Sequence, residues 1–142
     1  MRIGNWPLLL LILEYVIKHP DEYDQKQWRS TDLPRCGTVR CIAGWAAFFS
    51  GYEEVVGLGR SDLVRNPRNG ELMSTEDAAV AVLDFAEAYV TDMSDGLFEG
   101  SLTFDDVLGY VRDLAKTDGV TPTPIVVAEM RTRGIITEKE WI

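Results

Sequence analysis

The amino-acid sequence predicts a mainly α-helical protein. We expect residues 1–142 to form a single compact helical domain of about five to six helices, with a small β-hairpin or irregular insertion around residues 52–73. Apolar residues recur at helical spacing in several segments, and Asn, Ser or Thr stands where those segments begin. The 142 residues suffice for one hydrophobic core. Glycines and turn-forming residues concentrate instead between positions 51 and 73.

The first helix is predicted over residues 7–18. Asn5 can cap it, and Pro7 suits the first helical turn because the N–H that proline lacks would have no partner there. Apolar residues nearly encircle the helix axis, which is typical of a central rather than a surface helix. The helix should end before Pro20, because a proline disfavours helical geometry at the residue before it.

Two further elements are predicted before the insertion. Residues 21–28 could form a short second helix, with acidic side chains at its positive end. Thr38 is a plausible N-cap of a third helix that continues through Phe49. Gly51 should end that helix, because glycine readily adopts the left-handed conformation found there.

The chain after Gly51 is predicted to contain the insertion and three more helices. Short apolar runs at 63–64 and 72–73 flank a turn over 66–70, which favours a small hairpin. Capping residues predict helices over about 74–91, 103–116 and 121–134, and a short helical turn is expected before Leu97.

The charge of the chain is unevenly distributed. The net charge is -9, and residues 71–118 carry twelve acidic residues against Arg112 and Lys116 alone. Direct nucleic-acid binding is therefore disfavoured, since it requires a basic surface that neutralises phosphates. The acidic stretch indicates either a partner protein with a basic surface or merely a solvated helix face. Five acids are the candidate partner contacts: Asp84, Glu87, Asp92, Asp105 and Asp113.

The apolar run at residues 8–13 resembles the hydrophobic core of a signal peptide. Glu14 interrupts it, however, and no small-residue cleavage site follows before His19. The run is also far shorter than the ~20 residues needed to cross a bilayer. We therefore predict a cytoplasmic protein without membrane contact, whose two cysteines are reduced thiols.

Both cysteines lie within residues 35–46 and raise two chemical hypotheses. Cys36, just ahead of a helix start, would have a stabilised thiolate, and His19 would have to serve as its base. The order of Gln27, Cys36-Gly37 and Cys41 resembles that in the peptidases of bacteriocin exporters, which need a histidine well downstream as the base, whereas this chain has no histidine after position 19. A base that precedes the cysteine is an unusual chain order, though not a forbidden one. Cys36, Cys41 and His19 are also one ligand short of a structural zinc site. We expect no metal and no cofactor.

A packing role explains the same segment more simply. Cys41 and Trp45 share a helix face, while Gly44 lets a neighbouring helix approach closely. A glycine inside a helix costs about 1 kcal/mol relative to alanine, and close packing would offset that cost. Trp28 is the expected aromatic anchor beneath the preceding loop. We predict a structural hub composed of Trp28, Cys41, Gly44 and Trp45.

One pattern in this region is similar to a known group of proteins. It consists of His19-Pro20, Asp24-Gln25 and Trp28, followed by the motif CGTVRCIAGWA over 36–46. In these residues the chain resembles a group of small uncharacterised proteins of actinobacteria and their bacteriophages, and the stretch 86–108 is also similar to that group. The resemblance implies a cytoplasmic, phage-related helical protein, and it carries no activity over to this chain.

These observations lead to one main hypothesis and two alternatives. The main hypothesis is a non-enzymatic phage or actinobacterial accessory protein that binds a host or partner protein through the acidic surface of residues 71–118. The first alternative is a hydrolase or transferase that depends on Cys36, with His19 as the base. The second is an acidic DNA mimic that inhibits a nucleic-acid-binding protein. The oligomeric state is left open by the sequence.

Overall fold

The structure, a computed structural model, describes residues 4–22, 42–55, 63–84 and 103–141. Helices dominate this part of the chain. The α-helices are α1 (Trp6–Lys18), α2 (Ile42–Phe49), α3 (Thr75–Leu83), α4 (Phe104–Asp118) and α5 (Pro124–Thr132). The strands are β1 (Glu53–Glu54), β2 (Leu63–Arg65) and β3 (Leu72–Ser74). The predicted fold class, mainly α with a small β insertion, is confirmed.

The first helix, α1, lies at the centre of the core. Leu9, Ile12 and Leu13 are completely buried, and α1 contacts α2, α3 and α5. Buried side chains from all five described helices join one hydrophobic cluster around it. None of the described helices is both long enough and apolar enough to cross a membrane.

The start of α1 is joined to the end of α3 through Asn5. The side-chain oxygen of Asn5 accepts a hydrogen bond from the Leu8 N–H at 3.2 Å and so caps α1. Its Nδ2 donates to the Val82 carbonyl at 3.1 Å, and its backbone N–H donates to the Leu83 carbonyl. One residue therefore satisfies the terminal groups of two helices that are far apart in the sequence.

The end of α3 differs from the prediction. The capping residues at 74–77 predict a helix to about residue 91, but α3 ends at Leu83. Asp84 has a left-handed backbone with a φ of 52°, which aspartate tolerates better than most residues. Asn5 donates hydrogen bonds to the Val82 and Leu83 carbonyls, the last two of α3. These carbonyls therefore do not need the N–H donors of another helical turn. The turn predicted before Leu97 lies outside the described residues.

Two predicted helices are described only in part. For the short helix predicted over 21–28, the structure describes a 3-10 turn at Pro20–Glu22. The helix predicted from Thr38 is described as α2, and Thr38 itself lies outside the described residues. α2 ends at Phe49, and Gly51 then adopts a left-handed backbone with a φ of 84°, as predicted for a glycine at a helix end.

The predicted hairpin is present and has a third strand beside it. β2 and β3 pair antiparallel around the 66–70 turn, with Val64 opposite Met73. β1, which the sequence pattern does not predict, pairs with the other edge of β2. Val64 is buried in a small cluster with Ala47 of α2 and Ala78 of α3. The inner face of the sheet therefore packs on these two helices.

The last two helices begin differently from each other. Thr103 and Asp106 form a reciprocal capping box at the start of α4, with hydrogen bonds of 3.2 Å and 3.1 Å between side chains and backbone N–H groups. α5 begins at Pro124 rather than at the predicted 121–122. Its N-cap is Thr123, whose hydroxyl makes no capping hydrogen bond.

Candidate functional site

The histidine of the thiol hypothesis lies at the end of α1. The backbone N–H of His19 donates to the Tyr15 carbonyl at 2.8 Å, and its exposed ring lies 4.4 Å from the Tyr15 ring, centroid to centroid. Trp28 and both cysteines, Cys36 and Cys41, lie outside the described residues. A contact between Cys36 and His19 therefore stays a prediction. Within the described ranges, no group of His, Cys, Asp and Glu residues could hold a metal ion.

The other two residues of the predicted structural hub lie on α2. Trp45 is 2% exposed, and its ring lies 4.7 Å from the Tyr15 ring and 5.3 Å from the Phe49 ring, measured between centroids. Gly44 is also buried, on a helix whose main packing partner among the described elements is α3. Gly44 and Trp45 thus lie within the packed interior of the helices.

Two of the predicted partner contacts are paired within the chain. Arg133 binds Asp105 at 2.8 Å and Glu129 at 2.6 Å, while Arg112 binds Asp113 at 2.9 Å. The hydrogen bond to Asp113 raises the pKa of Arg112, and the hydrogen bonds to Asp105 and Glu129 raise the pKa of Arg133. A cation on a partner protein would have to compete with these arginines for Asp105 and Asp113.

The remaining acids of α4 also serve contacts within the fold. Asp106 belongs to the capping box, and Oδ2 of Asp118 accepts a hydrogen bond from the indole N–H of Trp6 at 2.9 Å. Asp84, another predicted contact, is the exposed C-cap residue of α3. Two predicted contacts lie outside the described residues: Glu87 and Asp92.

The sheet and the start of α3 carry an exposed leucine and a different set of acids. Leu72 is 43% exposed and lies opposite Arg65, which in turn lies opposite Glu53. Opposed residues of antiparallel strands share a face, so these three side chains belong to the outer face of the sheet. Three exposed acids form no ion pair with any described residue: Glu53, Glu71 and Asp77. We use the name sheet surface for Glu53 of β1, Glu71 immediately before β3, Leu72 at the start of β3, and Asp77 in the first turn of α3.

An open groove of about 740 Å³ lies between α5 and the C-terminal turn, residues 137–141. Pro124, Val127 and Arg131 line it from one face of α5, because residues three or four positions apart lie on the same side of a helix. Glu138 and Trp141 line it from the C-terminal turn. Apart from the two charged residues, these side chains present apolar surface to the groove.

Glu140 holds the C-terminal turn against α4 and α5. Its carboxylate pairs with Nζ of Lys116 at 2.7 Å and accepts the backbone N–H of Thr137 at 3.3 Å. Its carbonyl accepts a hydrogen bond from Nη2 of Arg131 at 2.7 Å. The hydrogen bond from Lys116 lowers the pKa of Glu140, and the one from the Thr137 backbone adds to this effect. Lys116 also lies 5.9 Å from the Trp141 ring centroid.

A second and more polar depression, of about 440 Å³, lies where α2 and α3 end. Ser50, Tyr52 and Arg68 are among its lining residues. Two helix C-termini contribute negative partial charge there, and Arg68 supplies a positive charge beside them. These opposing charges favour neither an anionic nor a cationic ligand.

The described part of the chain therefore offers two surfaces suited to recognition. One is the sheet surface, with its exposed leucine and unpaired carboxylates. The other is the groove beside α5, with apolar walls and an arginine. No protein-family model, curated protein or solved structure matches this chain.

Proposed function

We propose that this protein acts by binding a partner protein whose contact surface is basic. The observation that supports the proposal is the sheet surface, where Leu72 is 43% exposed and three acids of the sheet and of the start of α3 lack an ion pair with any described residue. Protein interfaces combine an apolar anchor at the centre with a polar rim. Opposite charge on the two sides of a contact accelerates encounter and selects between partners.

The sheet surface supports this function better than the acids of α4 do. Asp105 and Asp113 already bind arginines, at 2.8 Å and 2.9 Å respectively. Glu53, Glu71 and Asp77 form no ion pair with a described residue, and Arg65, which lies opposite Glu53, donates to the Gly70 carbonyl at 3.1 Å. We therefore assign the contact to the sheet surface rather than to Asp105 and Asp113.

The overall charge favours the same class of partner. The net charge of -9 attracts a basic protein at a distance, while at physiological salt the Debye length is about 8 Å and only nearby charges act strongly. Complex formation should therefore weaken as the salt concentration rises. The resemblance to small proteins of actinobacteria and their phages makes an actinobacterial host protein the first partner to test.

The test is affinity capture from an actinobacterial lysate at low salt with three baits. The first is the wild-type protein, and the second carries Glu71→Gln, Leu72→Ser and Asp77→Asn. The third is a charge-matched control with Asp105→Asn and Asp113→Asn. We expect a protein that the wild type and the control retain and that the sheet-surface variant loses. Capture of nothing by the wild type, or equal capture by all three baits, would refute the proposal.

The same experiment distinguishes partner binding from the DNA-mimic hypothesis. A mimic would capture nucleic-acid-binding proteins, and added duplex DNA would displace them from the bait. A partner bound through the sheet surface should stay bound when DNA is added at constant ionic strength. Urea unfolding of all three baits checks that each variant is folded.

The hypothesis of a Cys36-dependent enzyme has a separate test. Iodoacetamide reacts with a thiolate, so stoichiometric labelling of Cys36 in the native protein at pH 6 would favour a reactive thiol with a lowered pKa. Labelling that occurs only after denaturation would reject it. Variants at Cys36 and Cys41 identify which thiol has reacted.

A further inference from the structure

We propose that the groove beside α5 binds an apolar ligand that carries a carboxylate, and that Arg131 binds this carboxylate. The proposal concerns a different surface from the one assigned to the partner protein, and it stands independently of that function. Two observations support it: Arg131 forms no ion pair with a described residue, and the walls of the groove are apolar.

Arg131 differs from the neighbouring arginines in its pairing. Arg112 and Arg133 both bind carboxylates, whereas Arg131 forms no ion pair with a described residue. Its side chain donates hydrogen bonds to the backbone carbonyls of Thr137 and Glu140, at 3.5 Å and 2.7 Å. A guanidinium has five N–H donors, so Arg131 keeps donors for a ligand. Arginine suits carboxylates because its planar group can bind both oxygens.

The walls of the groove indicate what the rest of the ligand is. Pro122, Pro124, Val127 and Trp141 present apolar surface, and burial of apolar area favours a hydrophobic ligand. The volume of about 740 Å³ lies within the usual range for small-molecule sites. Proline and valine lose little conformational freedom when a ligand binds. An aromatic ring or a branched aliphatic group would therefore suit these walls.

The groove extends along α5 from Pro124 at its N-terminal end to Arg131 in its last turn. A helix carries positive partial charge at its first turn and negative partial charge at its last turn. The helix therefore does not attract an anion toward Arg131, and the guanidinium alone is the group that we assign to the carboxylate of the ligand.

Glu138 makes it possible to test whether a negative charge in the groove opposes binding of the ligand carboxylate. It lines the same groove, and it has no ion pair or hydrogen bond with the described residues. Its carboxylate would repel the carboxylate of a ligand in the groove. Removing this charge with Glu138→Gln should therefore strengthen binding, whereas removing the charge of Arg131 should weaken it.

A carboxylate next to an apolar group occurs in small organic acids and at the C-terminus of a peptide. Two pairs of probes separate these sources. The first pair is phenylbutyrate and phenylbutanamide. The second is an acetylated peptide that ends in phenylalanine, with either a free carboxylate or an amide at that end. Binding of phenylbutyrate assigns the site to a small acid, and binding of the peptide acid alone assigns it to a C-terminus.

The experiment measures the affinity of each probe for the full chain by calorimetry. We expect at least one acid to bind the wild type about tenfold more tightly than its amide, as a charge-assisted hydrogen bond would produce. Arg131→Gln should abolish this difference. Arg133→Gln removes the same charge outside the groove and should leave the difference unchanged.

Because Arg131→Gln also removes the bond to the Glu140 carbonyl, Glu138→Gln serves as a second and independent variant. It should strengthen binding of the acid and leave binding of the amide unaltered. Equal affinity for acid and amide in both pairs, or no binding of any probe, would overturn the proposal. An equal loss of affinity in Arg133→Gln and Arg131→Gln would do so too, since the effect would then come from overall charge.

Discussion

Asn5 joins two helices by donating a hydrogen bond from Nδ2 to the carbonyl of Val82, 77 positions further along the chain, at 3.1 Å. The same side chain accepts the Leu8 N–H and caps α1. Serine, threonine or aspartate would cap α1 comparably, but none of them has an amide N–H that can reach Val82 at the same time. The choice of asparagine therefore serves the contact between α1 and α3 as well as the cap.

Substitutions at Asn5 should separate its two roles. Asn5→Ala removes both the cap and the bond to Val82, and we expect the free energy of unfolding to fall by roughly 2 kcal/mol. Asn5→Ser retains the cap and should lower it by about half as much. Equilibrium unfolding in urea measures both values. Equal effects of serine and alanine would mean that the hydrogen bond to Val82 contributes no stability.

The N-caps of α4 and α5 should respond in opposite ways to the loss of a hydroxyl. Thr103 forms half of a capping box, so Thr103→Val should cost about 1 kcal/mol of stability. The hydroxyl of Thr123 is buried and has no hydrogen-bond partner among the described residues. Thr123→Val removes that unsatisfied group while keeping its shape, so stability should stay the same or increase.

The same urea unfolding series compares the two valine variants directly. A loss of stability in Thr123→Val as large as that in Thr103→Val would contradict the prediction. It would mean that the Thr123 hydroxyl contributes to the start of α5. Circular dichroism at low urea checks that both variants retain the helical content of the wild type.

A short stretch of sequence predicts a helix boundary correctly when the residues that form the boundary lie close together in the chain. A capping residue and its partner are three positions apart at Thr103 and Asp106, so the start of α4 is visible in a short segment. The end of α3 is different, because the donors that satisfy its last carbonyls belong to Asn5. No pattern near Leu83 contains that information.

The candidate sites also depend on contacts between residues that lie far apart in the sequence. The sequence shows that α4 is acidic, but not that Arg133 lies beside Asp105, 28 positions earlier in the chain. The groove beside α5 likewise depends on a C-terminal turn that Lys116 and Glu140 hold in place from different elements. Long-range ion pairs of this kind decide which charges remain for a partner or ligand.

Two substitutions of Asp118, which accepts a hydrogen bond from Trp6, should differ in their effect on the free energy of unfolding. Trp6 is 4% exposed, and its indole N–H donates to the Asp118 carboxylate at 2.9 Å. Asp118→Ala removes the acceptor and should cost about 1–2 kcal/mol. Asp118→Asn keeps an acceptor oxygen and removes a negative charge from the unfavourable C-terminal end of α4, so stability should remain near that of the wild type or exceed it.

Thermal and urea unfolding of both variants tests this comparison. The alanine variant should unfold at lower temperature and lower urea concentration than the asparagine variant. If the two were equally destabilised, the carboxylate charge rather than its role as an acceptor would account for the contact. Such a result would contradict the assignment of Asp118 as a hydrogen-bond acceptor.

Glu140 should make the C-terminal turn sensitive to acid. The hydrogen bonds from Lys116 and from the Thr137 backbone lower the pKa of Glu140 in the folded protein. Its contribution to stability is therefore complete above the ordinary carboxyl pKa of about 4.3 and is lost as the pH falls through the lower folded value. The Thr137 amide, whose N–H donates to Glu140, should show an NMR chemical-shift titration with a midpoint below about 4.3.

Three variants assign this titration to its cause. Lys116→Met removes the strongest influence on the Glu140 carboxylate, so the midpoint should rise toward the ordinary carboxyl value. Glu140→Gln retains an acceptor for the Thr137 N–H but has no proton to bind, so the titration should disappear. Glu138→Gln alters a carboxylate of the same turn that forms no ion pair or hydrogen bond with a described residue, and the titration curve of this variant should match that of the wild type. A Thr137 titration that persists in Glu140→Gln would show that a different carboxylate controls the turn.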